Sequence, residues 1–420
     1  MIFIYKRIIQ NEFFKNVVTL FSGTVIAQLI PLLISPVLTR LYNPSEFGIL
    51  ALYISLSAMI SVIATGRYEF SIVQARDTNK AFDAVMLCFT LSAIISTISF
   101  FGLLIIYQTE IGSAYLDGLS VWFYFIPLSI FFIGIFQTLN YWCSRERNYK
   151  DIAASKVIQS IVNVVLCLSL FMIDTAPALG LIIAHLVSQI ISSLVLLYRS
   201  RTSLISFGFS FDRIYQYAKS YYRFPKYSAP GALFNSVALQ LPIVFVSKVY
   251  DMSFAGYFNF VYRIVGGPLA LLSTAISQVF FQRVSSVNGS SLYNALVKAA
   301  MSLLLMSILP VTIVFLFGEV IFSFVFGEEW SVAGEMAEIL IFSIGIRFIV
   351  SPLSMVIAID RFVKYGFVWQ FVTFILISVF LFFAAEQEIS AMVFVKTYVV
   401  VDVLLYSFYL VLLFIMAKKV

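Results

Sequence analysis

Four charged side chains interrupt sequence that is otherwise apolar for helix-length stretches: Arg263, Arg347, Lys396 and Asp402. A charge at the centre of a membrane helix costs roughly 3 kcal/mol on the insertion scale, so the four approach about 12 kcal/mol, comparable to the whole stability of an ordinary domain. They must therefore face water or one another. Lys396 and Asp402 are six positions apart, about 240° around a helix, so they do not share a face and at least one needs a partner elsewhere. An interhelical pair of Asp402 with Arg347 is one solution, and it still leaves cations in excess. A cavity biased positive in this way suits an anionic cargo and repels cationic ones.

Other chemistry has little raw material. The chain has 21 Asp plus Glu, three cysteines and one histidine in 420 residues, so metal clusters, paired-carboxylate hydrolysis and His-based nucleophile systems are disfavoured. No cofactor is expected beyond a proton or sodium ion as coupling species. Cys88, Cys143 and Cys167 fall in apolar segments without metal-ligand spacing and read as small core hydrophobes. The net charge of +6 comes from short clusters of Lys and Arg between apolar runs, which argues against nucleic acid as a partner.

The elements that position these charges follow from composition. With 61% hydrophobic and 11% charged residues, the chain reads as an integral membrane protein. A bilayer core about 30 Å thick needs about 20 apolar residues per helix. Twelve such stretches run roughly 17–39, 47–66, 81–107, 120–141, 152–173, 178–198, 227–248, 255–281, 294–318, 333–358, 365–385 and 391–416. They lack the ten-residue alternation of a membrane barrel, and open sheet edges are not tolerated in lipid, so an all-α fold of twelve transmembrane helices is predicted. Lys and Arg concentrate in one alternating set of connections, including Arg76, Lys80, Arg145, Arg199 to Lys226, Arg361, Lys364 and Lys419. The opposite set holds only Arg40 and Lys248, beside acids such as Glu110, Asp117, Asp174 and Asp251. The positive-inside rule then places both termini in the cytoplasm.

The longest connection divides the chain into residues 1–198, a linker 199–226 and residues 227–420, with six spans on each side. A shift of 208 residues lays TRLYNPSEFG (39–48) on SKVYDMSFAG (247–256), pairing Tyr42 with Tyr250, Asn43 with Asp251, Gly48 with Gly256 and Arg40 with Lys248. Two six-helix lobes related as parallel repeats are expected, with a substrate route between them. In the linker, Ile214, Tyr217, Tyr221 and Phe224 recur at helical spacing among Arg213, Lys219, Arg223 and Lys226. That pattern predicts a helix on the bilayer surface, as a plain anchor or in contact with lipid phosphates.

Prolines and glycines interrupt several spans, among them Pro242, Gly266, Gly267, Pro268, Pro310 and Pro352, and such breaks mark cavity-lining or moving helices in transporters. Arg40 and Lys248 sit at outer helix ends, as interfacial anchors or as guards of an exit. Arg67 and Glu69, in GRYEF (66–70), occupy the inner end of the second span, as a salt-bridged helix end or a cytoplasmic gate; spacing does not separate the two. His185 is expected to hydrogen-bond within the bundle, and Lys298 to reach the cytoplasmic interface.

The stretches LTRLYNPSEFGILALY (38–53) and TGRYEFSIVQARD (65–77), with the Phe-Pro, Gln-Leu-Pro and Gly-Tyr-Phe-x-x-x-x-Arg elements of residues 224–283, resemble the polysaccharide flippases of the multidrug/oligosaccharidyl-lipid/polysaccharide (MOP) exporter superfamily. The resemblance implies a V-shaped fold of two six-helix lobes like that of the multidrug and toxin extrusion (MATE) transporters. It implies translocation of an undecaprenyl-diphosphate-linked oligosaccharide across a bacterial plasma (inner) membrane, with a polysaccharide polymerase and chain-length proteins as further partners. Arg263 matches the arginine of the Gly-Tyr element. Alternating access with Arg263 and Arg347 on the diphosphate, Lys396 assisting and Asp402 balancing charge or carrying a coupling ion fits that cargo. Rival readings are a cation-coupled drug exporter, for which the first span lacks a carboxylate; a major-facilitator transporter, whose loop pattern is absent; and a glycan polymerase or ligase, for which the outer connections are short.

Overall fold

A computed structural model describes residues 2–75, 77–109, 122–172, 177–204, 210–284, 290–358 and 363–418. Among them the regular elements are helices. In chain order they are α1 (Ile2–Leu41), α2 (Pro44–Ser61), α3 (Glu69–Gln74), α4 (Thr78–Tyr107), α5 (Ile126–Arg145), α6 (Tyr149–Phe171), α7 (Pro177–Leu204) and α8 (Phe211–Ser220). There follow α9 (Ala229–Val249), α10 (Met252–Val261), α11 (Gly267–Val284), α12 (Ser290–Phe326), α13 (Ser331–Leu353), α14 (Val363–Glu386) and α15 (Ala391–Lys418). Among the described residues twelve spans, from Thr19–Leu41 to Ala391–Lys418, are long and apolar enough to cross a membrane, and they coincide with the stretches read from sequence. The protein is a multi-pass, all-α membrane protein. Of the charges used above for orientation, Arg76, Glu110, Asp117, Asp174, Arg361 and Lys419 lie outside the described residues.

Span ends differ from the apolar limits for local reasons. α2 stops at Ser61 and gives way to successive turns, and Gly66 and Arg67, with left-handed backbone at φ of 59° and 64°, keep a right-handed helix from running on to Gly66. α12 continues to Phe326 because the exposed Glu319 interrupts the apolar run without interrupting the helix.

The repeat is visible in how two helices begin. Asn43 and Glu46 cap α2 reciprocally: Glu46 N–H donates to Asn43 Oδ1 at 3.1 Å, and Asn43 N–H donates to Glu46 Oε2 at 2.8 Å. At the equivalent start of α10, Phe254 N–H donates to Asp251 Oδ1 at 2.7 Å. One turn in, Gly48 and Gly256 lie against each other's helix. A Cβ on Gly48 would stand 1.7 Å from the Met252 carbonyl oxygen, and one on Gly256 1.9 Å from that of Pro44. Only glycine lets the two backbones approach this closely.

Two π-helical turns relieve the prolines. Pro268 has no N–H to return to the carbonyl of Ile264, and the ladder widens over Tyr262–Gly266 just before it. Over Phe224–Ser228, beside Pro225, the Ala229 N–H donates to the Phe224 carbonyl five residues back. Pro242, Pro310 and Pro352 instead sit within continuous helices.

The chain forms two compact units that interleave in sequence: Met1–Ile34 with Leu52–Gln240, and Ser35–Ala51 with Leu241–Val420. Helices α1, α2 and α9 each pass from one unit to the other. The first unit is centred on Tyr68, Ile72, Phe82, Cys88, Leu139, Trp142, Cys143, Ile214 and Tyr217. All three cysteines are buried and free, as their apolar context suggested. The second unit has a core of Leu292, Leu296, Phe348, Leu353, Val356, Tyr409 and Leu413. It also has an aromatic knot in which the fully buried Trp330 contacts Phe47, Tyr257 and Phe260 while its Nε1–H donates to the Thr39 carbonyl at 3.2 Å. That knot explains why the segment Ser35–Ala51 belongs with the second unit.

Candidate functional site

Within the second unit, α13 and α15 bring Arg347 and Asp402 together. On α13, Ser343 and Arg347 are four residues apart; on α15, Tyr398, Asp402 and Tyr406 step by four; each set therefore shares one helix face. Arg347 grips Asp402 through both ends of the carboxylate, Nε to Oδ2 at 2.8 Å and Nη2 to Oδ1 at 2.7 Å. Nη2 also donates to the Tyr398 hydroxyl at 3.0 Å. Ser343 Oγ–H donates to Asp402 Oδ2, and the Tyr262 hydroxyl lies 3.5 Å from Ser343 Oγ. The guanidinium carbon stands 5.1 Å from the Tyr406 ring centre and 5.8 Å from that of Tyr262, within cation–π range.

The pair is asymmetric. Asp402 is 2% exposed and Arg347 22%, and Arg347 lines a cavity of about 360 Å³ whose wall is otherwise Tyr262, Gly266, Gly267, Leu269, Ala270, Ser273, Thr274, Ile344, Phe348 and Ser351. The carboxylate is thus sealed behind the arginine while the guanidinium borders open space. Its Nη1 bonds to none of the described residues, so two N–H donors remain for an occupant of the cavity. Gly266, which ends the π-helical turn, and Gly267, which opens α11, give that wall little side-chain bulk.

Not all four intramembrane charges converge here. Arg263 is half-buried on the π-helical turn, next to the cavity-lining Tyr262 but not itself among the lining residues. Lys396 is exposed, in line with Val393, Val400, Leu404 and Phe408 on an apolar stripe of α15, and away from the buried face that carries Asp402. Tyr262, Ser343, Tyr398 and Tyr406 were not singled out from sequence. Stepping four residues either way from Asp402, and four back from Arg347, finds the last three; Tyr262 had no such signal beyond its place before Arg263.

At the expected gate and helix-end positions, Arg40 sits in the last turn of α1 and its Nη1 donates to the carbonyls of Pro36 at 2.6 Å and Val325 at 3.1 Å, tying off the end of α12. Lys248 is exposed in the last turn of α9. Arg67 lies 3.7 Å from the buried Glu69 and 4.4 Å over the Phe70 ring, and Thr65 Oγ1–H donates to the same carboxylate. This is a salt-bridged helix break in the first unit. His185 is paired with Gln189 at 2.9 Å, and Lys298 is exposed.

Tyr398→Phe is expected to remove one hydrogen bond to a charged group, lowering stability by about 1.5–3 kcal/mol without unfolding the protein. Thermal unfolding in detergent checks this, and an unchanged midpoint would remove Tyr398 from the cluster.

Twelve spans and this charged cluster define an all-α membrane protein with the fold of the MOP-superfamily transporters. A multidrug-resistance MATE transporter in its inward-facing form superposes with a TM-score of 0.59 at 15% identity, covering 94% of each chain. A MOP-superfamily transporter from Pyrococcus furiosus, described as having a binding pocket of reversed polarity, gives 0.57 at 14% identity over 95% of this chain and 96% of that one. A eukaryotic MATE transporter gives 0.55 at 16% identity over 96% of both. The family model described as a polysaccharide biosynthesis protein matches residues 37–335, and the chain belongs to that family. No curated protein matches the sequence.

Proposed function

We propose that the protein is a flippase that moves an undecaprenyl-diphosphate-linked oligosaccharide from the inner to the outer leaflet of a bacterial plasma membrane by alternating access. The observation that carries this reading is Arg347: a membrane-embedded guanidinium on a cavity, its Nη1 bonded to none of the described residues, in a chain of a polysaccharide-biosynthesis family and a transporter fold. Arginine binds phosphate oxygens in a planar, two-pronged geometry. The cavity of about 360 Å³ lies at the small end of ligand sites, so it suits an anionic headgroup rather than a whole glycan. The prenyl tail stays in the bilayer, where Lys396 on the exposed stripe of α15 assists, and Arg263 is the second cation beside the cavity.

The ion pair supplies the switch. A phosphate oxygen that takes Arg347 displaces Asp402, whose buried carboxylate then needs a proton or another cation; loss of that cation restores the pair and releases the cargo. The polymerase and chain-length proteins would act on the delivered lipid-linked sugar.

Proteoliposomes loaded with a labelled prenyl-diphosphate oligosaccharide test the reading by the time course of glycan exposure to an external lectin. Exposure is expected with the native protein and is lost with Arg347→Ala or Arg263→Ala at equal insertion. Exposure no faster than in protein-free liposomes overturns the reading. Export of a cationic drug in its place makes the protein a drug exporter, and lengthening of the added glycan makes it a polymerase.

A further inference from the structure

In the first unit, α8 and the π-helical turn after it have two faces that differ in kind. The inner face is pinned. Ile214 and Tyr217 are buried, the Tyr217 hydroxyl donates to Ser71 Oγ at 2.9 Å, the Tyr68 hydroxyl donates to the Ala218 carbonyl at 3.0 Å, and Arg213 pairs with Asp83 at 3.4 Å. Burial pushes the Tyr217 phenol up, so it stays a neutral donor. The outer face carries large aromatic rings in the open, Phe211 at 74% exposure, Tyr215 at 72% and Tyr222 at 49%, interleaved with the exposed Lys219, Arg223 and Lys226.

Fold stability does not require this arrangement. A helix that merely covered the first unit would turn its rings inward and its charges outward, as Ile214 and Tyr217 already do on the pinned side. Rings that pair an apolar body with a polar tip, set among lysines and arginines, match the headgroup layer of a bilayer. α8 connects the spans Pro177–Thr202 and Phe224–Val249, which places it near the bilayer face where both emerge. Asp212 is the only acid in the segment 211–227, so the surface is complementary to negative lipid.

We infer that the outer face of α8 and the following turn is a docking surface for the anionic phospholipid headgroups of the bilayer. The inner face makes the consequence mechanical. Through Tyr217–Ser71 and Tyr68–Ala218 the docked helix holds α3, and Phe224 stacks 6.4 Å from Phe70, which lies under Arg67. Bound lipid thereby fixes the helix break at the end of the second span.

The inference does not depend on the cargo, and its test does not measure transport. Because Cys88, Cys143 and Cys167 are buried, Ser220→Cys on the exposed side of α8 takes a fluorophore selectively. The labelled protein is placed in phosphatidylcholine vesicles containing a minor fraction of phosphatidylglycerol, with bromine on the acyl chains of one lipid or the other. Each basic side chain near a negative surface favours it about fivefold, so brominated phosphatidylglycerol is expected to quench roughly threefold or more above its bulk share. Screening by molar salt is expected to abolish the excess. The triple substitution K219Q/R223Q/K226Q, at exposed positions that leave the pinned face intact, is expected to bring quenching by the two lipids to parity, whereas Phe211→Ser with Tyr215→Ser is expected to weaken quenching by both. Parity in the parent protein, or an excess that survives the triple substitution, overturns the inference. So does displacement of the brominated phosphatidylglycerol by a trace of prenyl diphosphate, which would assign the surface to that lipid instead.

Discussion

Arg347→Ala is expected to abolish glycan exposure in proteoliposomes and to destabilise the protein by about 3–5 kcal/mol, because it leaves a buried carboxylate without its counter-charge. Asp402 is 2% exposed and, among the described residues, keeps the Ser343 donor alone once the guanidinium is gone. The opposite deletion is milder. Asp402→Asn strands a guanidinium that already borders a cavity of about 360 Å³ and can take up water there, so its folding loss is smaller although its transport cycle is broken. The double variant R347A/D402N removes both charges and is expected to be more stable than R347A alone, a coupling above about 1 kcal/mol. Arg347→Lys retains charge but not the two-pronged grip on Asp402, so it rescues stability only in part. Thermal unfolding of the parent, R347A, D402N and R347A/D402N in one detergent measures the cycle. Losses that simply add would mean that Arg347 and Asp402 are independent, and the switch built on their pairing would fall.

The second large effect lies at the crossing of α2 and α10. A methyl on Gly48 would meet the Met252 carbonyl oxygen at 1.7 Å, and one on Gly256 the Pro44 carbonyl oxygen at 1.9 Å. Both obstacles are backbone, which cannot rotate away as a side chain can, so the helices must separate. Separation strips contacts from the knot of Phe47, Phe260 and Trp330 just beside the crossing. Each Gly→Ala is expected to cost upward of roughly 3 kcal/mol, at the severe end of overpacking. The double variant costs less than twice that, since one separation accommodates both methyls. Gly102→Ala, in α4 with nothing near its added Cβ, is the control and is expected to be neutral or stabilising by up to about 1 kcal/mol. Folded yield and unfolding midpoint read all four variants. A Gly48→Ala protein as stable as the control would mean that the close crossing is not required.

The repeat shows how far pattern alone reaches. Pairing Asn43 with Asp251 and Gly48 with Gly256 required only a shift along the sequence, and both partners of each pair do the same local work. One pair caps helix starts; the other removes side chains from a crossing. That the two glycines touch each other is not in the pattern. The charges show the same division. A separation of six positions between Lys396 and Asp402 suffices to put them on different faces of one helix, because the rise and turn of a helix are fixed. Whether Asp402 meets Arg347, Arg263 or water depends on how α15 and α13 are rotated about their own axes, and apolar helices in lipid carry weak rotational signals.

The sequence by itself determined the helical class, the number of spans and the presence of costly charges within them, since lipid offers no hydrogen bonds to an open backbone and punishes every isolated ion. Tertiary structure alone decided that Asp402 is sealed behind Arg347, that three tyrosines surround the pair, and that Lys396 stays outside it. Those facts rest on contacts between residues dozens of positions apart, such as the 55 that separate Arg347 from Asp402. They are set by the side-chain packing of one helix against another, for which spacing along a single helix holds no information.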